Sequence, residues 1–339
     1  MVIDLRSDTV TKPSKAMLDS MMSAEVGDDV FNEDPTVLKL EQKLANMFGH
    51  DAGLFCPSGT MTNQIAINVH TKPGDEVICD ANSHIYNYEG GGIAKNSGVQ
   101  AKLLVGDRGR LSLAQIKDNV NASYDWLTRT GLVELENTVN KAGGSYYTLK
   151  DIKDISAFCR ASNIKIHLDG ARLFNALVET KESAKDHGSL FDSISICLSK
   201  GLGTPSGSVL LGNTEFIRHA RRVRKVFGGG MRQIGFLAAA GIYAIDHNIE
   251  RLTEDHKRAK QIGESLNNLS YVKAVLPVDT NIIIFDLKEG MSAEQFIAKV
   301  AEKNIKVAAF GKQTIRMVTH LDFTDEMLDE LLKTLKALK

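Results

Sequence analysis

Lys200 stands directly after the apolar run SISICLS, with Gly201 and Gly203 close by, and Asp169 ends an earlier run, IKIHLD. Glycines beside a lysine leave room for a bulky group against its backbone. The lysine amine can condense with an aldehyde to form a Schiff base. A carboxylate set against a pyridinium nitrogen keeps that nitrogen protonated and the ring an electron sink. Together the two residues are what pyridoxal 5'-phosphate (PLP) needs from a protein. Taken singly, each has a plainer reading, a loop lysine and an Asp-Gly turn.

Other residues extend the pattern. Ser58-Gly59-Thr60 lies between a short apolar run and a helix-like stretch. Backbone N–H groups there can face a phosphate, although an ordinary helix cap explains the tripeptide equally well. His84, in SHIYNYEGG, can stack on a pyridine ring or relay a proton. Arg172 in DGAR and Arg316 in TIRMVTH are candidates for gripping a substrate carboxylate, since a guanidinium matches that group with two parallel donors. Salt bridges are the simpler alternative for both. Arg218, Arg221, Arg222, Arg224 and Lys225 form a basic run followed by GGGMR, which carries Arg232. Helical spacing places Arg218, Arg221 or Arg222, and Lys225 on one face, as a solvated surface or a phosphate contact.

These residues need a scaffold that brings strand ends together. Short apolar runs alternate with helical patterns from about residue 38. Strands are expected at Ala52–Phe55, Glu76–Cys79, Ala101–Val105, Leu132–Leu135, Ile164–Leu168, Ile194–Leu198 and Ser208–Leu211. The expected fold is α/β, a mostly parallel sheet with helices on both faces. Its ligand site belongs beyond the carboxyl ends of the strands, where the residues above fall. From about residue 246 the texture changes, with a charged helix near Asn248–Leu266, then Ile282–Phe285, then a helix near Ala293–Glu302. The chain is expected to divide into a large cofactor-binding domain over 1–245, whose N-terminal segment contributes to the site, and a smaller α+β domain over 246–339.

The 339 residues exceed what one core usually covers. A net charge of −1 gives no general pull toward nucleic acid or anionic membrane. The longest strongly apolar stretch, Gly235–Ile245, is too short to span a bilayer, and MVIDLRSDTV carries charges where a signal peptide needs apolar residues. Four scattered cysteines suggest reduced thiols and a cytoplasmic protein. No metal is expected.

The segments LRSDTVT, VGDDVFNEDPTV, PSGTMTNQIA, LENT, HLDGARLFNA, CLSKGLGTPSGS, GGGMRQIG and RMVTHLD closely resemble the low-specificity L-threonine aldolases. These are PLP enzymes of fold type I, the aspartate aminotransferase group. The resemblance implies that Lys200 carries the cofactor, Asp169 pairs with the pyridinium nitrogen and His84 stacks on the ring. It implies that Gly59, Thr60 and Arg232 bind phosphate, with Lys225 reaching in from a neighbouring subunit. Ser7, Arg172 and Arg316 would hold the substrate carboxylate. The implied assembly is a homotetramer, a dimer of dimers. The implied reaction is cleavage of L-threonine or L-allo-threonine to glycine and acetaldehyde, with β-elimination from a serine-like amino acid as the alternative. Two positions depart from the family. Val139 stands where a histidine often follows ENT, and Trp126 falls where some members carry a second histidine near the substrate hydroxyl.

Overall fold

The computed structural model describes residues 2–338. Its strands in chain order are β1 (Ile3–Asp4), β2 (Ala52–Cys56), β3 (Glu76–Asp80), β4 (Gln100–Leu104), β5 (Thr130–Glu136), β6 (Lys165–Gly170), β7 (Ser193–Cys197), β8 (Ser208–Gly212), β9 (Val272–Val275), β10 (Ile282–Leu287), β11 (Ile305–Lys306), β12 (Ala308–Ala309) and β13 (Thr314–Val318). Seven form the main sheet in the order β2-β8-β7-β6-β5-β3-β4. Only β8 runs against its neighbours, so β2 through β7 all point one way. The strands β3, β5, β7 and β8 are buried throughout and β6 is buried after Lys165, which is why they read as mostly apolar runs rather than alternating ones.

Helices cover the sheet. The helix Pro35–Phe48 starts on Asp34, whose Oδ1 accepts from the Thr36 and Val37 N–H groups while Oδ2 accepts from Gly235 N. This one buried carboxylate caps a helix and also ties down the start of the helix Gly235–His247. The helix Gly59–His70 crosses the sheet on a polar seam. Thr62, Ser195 and Ser208 share hydroxyl contacts there, and His70 Nε2 meets Ser193 Oγ at 2.7 Å. Ser193 Oγ lies in turn 2.8 Å from His167 Nδ1.

A second, antiparallel sheet of order β12-β13-β10-β9 packs with the helices Leu252–Leu266, Ala293–Ala301 and Asp325–Ala337. Ile3 and Leu5 bury in this second core, and β1 pairs in parallel with β11. The first strand of the chain therefore completes the C-terminal layer. The charged helix begins at Leu252 rather than near Asn248, because Asn248 closes the preceding helix and donates to the Leu202 carbonyl. No helix among the described residues is long and apolar enough to cross a membrane.

Burial pushes His167 from an ordinary 6.5 down to about 4 and His70 to about 3. Both therefore stay neutral when folded, whereas the unfolded chain takes protons on them below 6.5. Their contribution to stability is complete above about pH 6.5 and drains as pH falls toward 4. Urea midpoints measured between pH 7 and 4.5 should drop accordingly, and His70→Gln should flatten part of that slope.

Candidate active site

The C-terminal edge of the six co-directional strands gathers most of the chemistry. Ser58 follows β2, His84 follows β3, Asn140 follows β5, Asp169 lies within the end of β6, and Lys200 follows β7. A parallel arrangement forces this convergence, since each strand delivers the residues after it to the same side.

Lys200 is half-buried. Its carbonyl accepts from Thr11 Oγ1 and from Gly203 N, which folds the glycine-rich loop back on itself. Gly203 takes a φ of 80°, a conformation that suits glycine. Asp169 is 1% exposed; its Oδ1 accepts from Ala171 N at 3.0 Å and its Oδ2 from Asn63 Nδ2 at 2.8 Å. The His84 ring is partly open to solvent, and its Nδ1 lies 2.9 Å from Glu89 Oε1. Glu89 also accepts from Asn63 Nδ2 and Gln64 Nε2. Burial works against a charged imidazole at His84, but the bond to Glu89 and the charges of Asp169 and Glu89 raise its pKa. Ligand atoms of His84, Glu89 and Asp169 lie within 4.8 Å of one another, yet hydrogen bonds through Asn63 already knit them together.

Two more acids lie beneath. Glu136 takes the backbone N–H of His84 on one oxygen and that of Asn140 on the other. Burial, then the charge of Asp169, pushes its pKa up to about 7. Glu134 is raised well above the carboxylate range by the same causes.

The helix Gly59–His70 opens toward the same edge. Ser58 Oγ caps it by accepting from Met61 N, and the first-turn N–H groups of a helix have no partner within it. A Cβ added at Gly59 would meet Cys197 only at ordinary contact distance, so no steric demand requires glycine there. The donor set fits PLP: an amine at Lys200, a buried carboxylate at Asp169, an imidazole at His84, and a helix N-terminus suited to a phosphate.

On the other side lie the arginines. Arg172 is buried and grips Asp8 with two bonds, Nε to Oδ2 at 2.8 Å and Nη2 to Oδ1 at 2.7 Å. Burial disfavours both ions, but Arg172 holds the Asp8 carboxyl well below its usual range and is itself raised. Arg316 has only neutral hydrogen-bond partners, Asn140 Oδ1 at 2.9 Å and the Arg6 carbonyl at 2.9 Å, with its guanidinium over the Phe310 ring. Burial, then repulsion from Arg172, brings its pKa down to about 10. A buried cation next to another cation, paired with no carboxylate among the described residues, can take up an anion. Asn140 Oδ1 also accepts from Arg172 Nη1 at 3.3 Å, so one amide oxygen sets the spacing of both guanidinia. Ser7 caps the short turn Asp8–Val10 beside them.

Four expected residues lie elsewhere or bond differently. Arg232 is exposed, pairs with Asp28 at 2.8 Å and lies over Phe31. Lys225 is exposed and lines a groove of about 800 Å³ with Val30, Glu41 and Arg221. Within the basic run, Arg224 is not solvated at all: it is buried on Asp29 and the Phe55 carbonyl. The loop carrying Trp126 is anchored by Asn121 to Glu76 and Thr128, at the starts of β3 and β5. It therefore sits at the sheet edge opposite Lys200, and Trp126 is 77% exposed. Asp8, Asn63, Glu89 and Asn140 were not singled out from sequence. Asp8 had one available signal, an acid among polar residues directly beside the candidate Ser7.

A mostly parallel sheet whose carboxyl edge joins a glycine-flanked lysine, a buried aspartate and a helix N-terminus defines a PLP-dependent enzyme of fold type I. The beta-eliminating lyase family model matches residues 4–290. "Low specificity L-threonine aldolase" of Escherichia coli K12 is 41% identical over 331 residues, covering 97% of this chain and 97% of that protein. "Low-specificity L-threonine aldolase 1" of Arabidopsis thaliana is also 41% identical over 331 residues, covering 95% and 92%. The chain belongs to the beta-eliminating lyase family and, within it, to the low-specificity L-threonine aldolases. Threonine aldolase of Leishmania major shares the fold at a TM-score of 0.85 and 22% identity, covering 98% of each chain.

Removing Asp8 would leave Arg172 buried next to Arg316 without its carboxylate partner. Asp8→Ala should cost about 3–5 kcal/mol of stability, read by chemical denaturation.

Proposed function

We propose that this enzyme cleaves L-threonine and L-allo-threonine to glycine and acetaldehyde, using PLP attached through Lys200 Nζ. Arg316 carries the amino-acid part of this reading: it is a buried guanidinium with neutral partners only, at the edge where Lys200 and Asp169 converge. Family membership carries the choice of reaction. When bound, the pyridoxal ring supplies the electron sink that lets a bond at the α-carbon break.

The chain's own groups do the rest. Arg316 binds the substrate carboxylate, with Ser7 beside it. Arg172, committed to Asp8 through Nε and Nη2, offers its remaining N–H donors. Gripping the carboxylate fixes which α-carbon bond is presented for cleavage, and such placement can supply about 7–11 kcal/mol. His84 gives Nδ1–H to Glu89, which leaves Nε2 as the base for the β-hydroxyl proton. Removing that proton turns the hydroxyl into the aldehyde oxygen as the carbon–carbon bond breaks. Asp169 pairs with the ring nitrogen, and Gly59 and Thr60 bind the phosphate.

We further propose a homotetramer, a dimer of dimers, in which Arg232 binds the phosphate and Lys225 reaches the phosphate site of a neighbouring subunit. Their exposure beside the exposed apolar side chains Phe31, Val226 and Met231 supports this. A large unit over 1–245 and a smaller unit over 246–339 describe the division of labour, with β1 lent to the second. The four cysteines are free and buried, which suits a cytoplasmic protein.

The family description favours one second reading, β-elimination from a serine-like substrate. Product analysis with L-threonine and L-allo-threonine decides between them. Glycine and acetaldehyde are expected, and pyruvate-type keto acids with ammonia would overturn the aldolase assignment. Lys200→Ala should lose both the visible absorbance of the bound cofactor and turnover. Arg316→Ala should raise KM tenfold or more, the loss of a charged hydrogen-bonded contact of about 2 kcal/mol, while keeping the cofactor absorbance. An unchanged KM would remove Arg316 from the substrate site.

A further inference from the structure

Asp169 and Glu89 lean on the same side chain. Asn63 is 2% exposed and sits early in the helix Gly59–His70. Its Nδ2 donates to Asp169 Oδ2 at 2.8 Å and to Glu89 Oε1 at 2.9 Å. A carboxamide has a donor end and an acceptor end. Turned over, it would set its oxygen against two carboxylates.

What prevents the turn lies between this helix and the sheet. Asn63 Oδ1 is 3.2 Å from His167 Nε2, which must therefore carry a proton. His167 is 0% exposed and burial keeps it neutral, so its Nδ1 is an acceptor. Ser193 Oγ, 2.8 Å away, donates to it and accepts from His70 Nε2 at 2.7 Å. Every proton along this line has one place to be. It runs from His70 through Ser193 and His167 to Asn63, and ends on Asp169 and on Glu89, which meets the His84 imidazole.

We infer that Asn63 is a positioning residue, locked in one amide orientation by the buried His167–Ser193–His70 chain, that holds Asp169 toward the cofactor and Glu89 toward His84. The inference rests on the PLP reading above. Asn63 touches neither substrate nor cofactor; it acts through the two acids. His167 acts at one remove further, by filling the acceptor end of the amide.

The test is PLP titration of the apoenzyme, followed by visible absorbance and by quenching of intrinsic fluorescence. Asn63→Asp keeps the size and replaces the shared donor with an acceptor. His167→Leu removes the N–H that orients Asn63, whereas His167→Gln restores an amide N–H near the position of Nε2. Asn63→Asp and His167→Leu should each weaken PLP binding about tenfold to a hundredfold, the scale of one charge-assisted hydrogen bond. His167→Gln should stay within about threefold of the parent, a rescue that mere filling of core volume would not give. Parent-like affinity in Asn63→Asp overturns the inference. So does His167→Gln binding as weakly as His167→Leu with both folded by circular dichroism, a comparison that stands alone if Asn63→Asp does not fold. A parent chain that binds no PLP would instead overturn the cofactor reading itself.

Discussion

The ion pair between Asp8 and Arg172 holds the site together. Both side chains are removed from water, at 0% and 5% exposure. Burying two charges is costly unless geometry and further hydrogen bonds compensate. Here the pairing is two-pronged, Asn281 adds a donor to Asp8, and Asn140 takes a remaining Arg172 donor. Asn281 also donates to the Thr319 carbonyl. The N-terminal segment, the main sheet and the C-terminal layer thus meet at one carboxylate. Without Asp8, Arg172 would be left buried beside Arg316 with no compensating charge.

Charge in the site is sorted by side. Carboxylates crowd under β5 and β6 and against the helix Gly59–His70, while guanidinia line the wall shared with the C-terminal layer. Asn140 stands at the border. Its backbone N–H bonds Glu136 and its side-chain oxygen accepts from both arginines. Because Glu136 also takes the His84 N–H, a displacement on either side is passed to the other through two hydrogen bonds. Neutral amides, Asn63 among the acids and Asn140 among the bases, do the spacing. A neutral amide can serve either sign of charge without adding to it.

The main sheet was largely legible because buried parallel strands are written as short apolar runs. Lys200 and Asp169 were legible because they follow such runs. Other features were hidden for particular reasons. Arg224 looked like its solvated neighbours, since a basic run does not reveal which member turns inward onto Asp29. Trp126 looked like a site residue by counting, yet its loop is pinned at the starts of the strands rather than their ends. β1 is two residues long, too short for any periodicity, and its partner lies at the far end of the chain. His167 sits inside an apolar run, where its role depends on hydroxyls from other elements. Asn63 and Asn140 are legible only once the charges they separate are seen in space.

The pairing of β1 with β11 also sets an order in time. Ile3 is made long before Ile305 and must wait for it before it has a partner. The segment bearing Ser7 and Asp8 follows directly from that strand. Strands β2 to β8 can meet while Arg316 and Asn281 are still unmade. The sheet edge that carries Lys200 and Asp169 can thus form before the guanidinium wall beside it is complete.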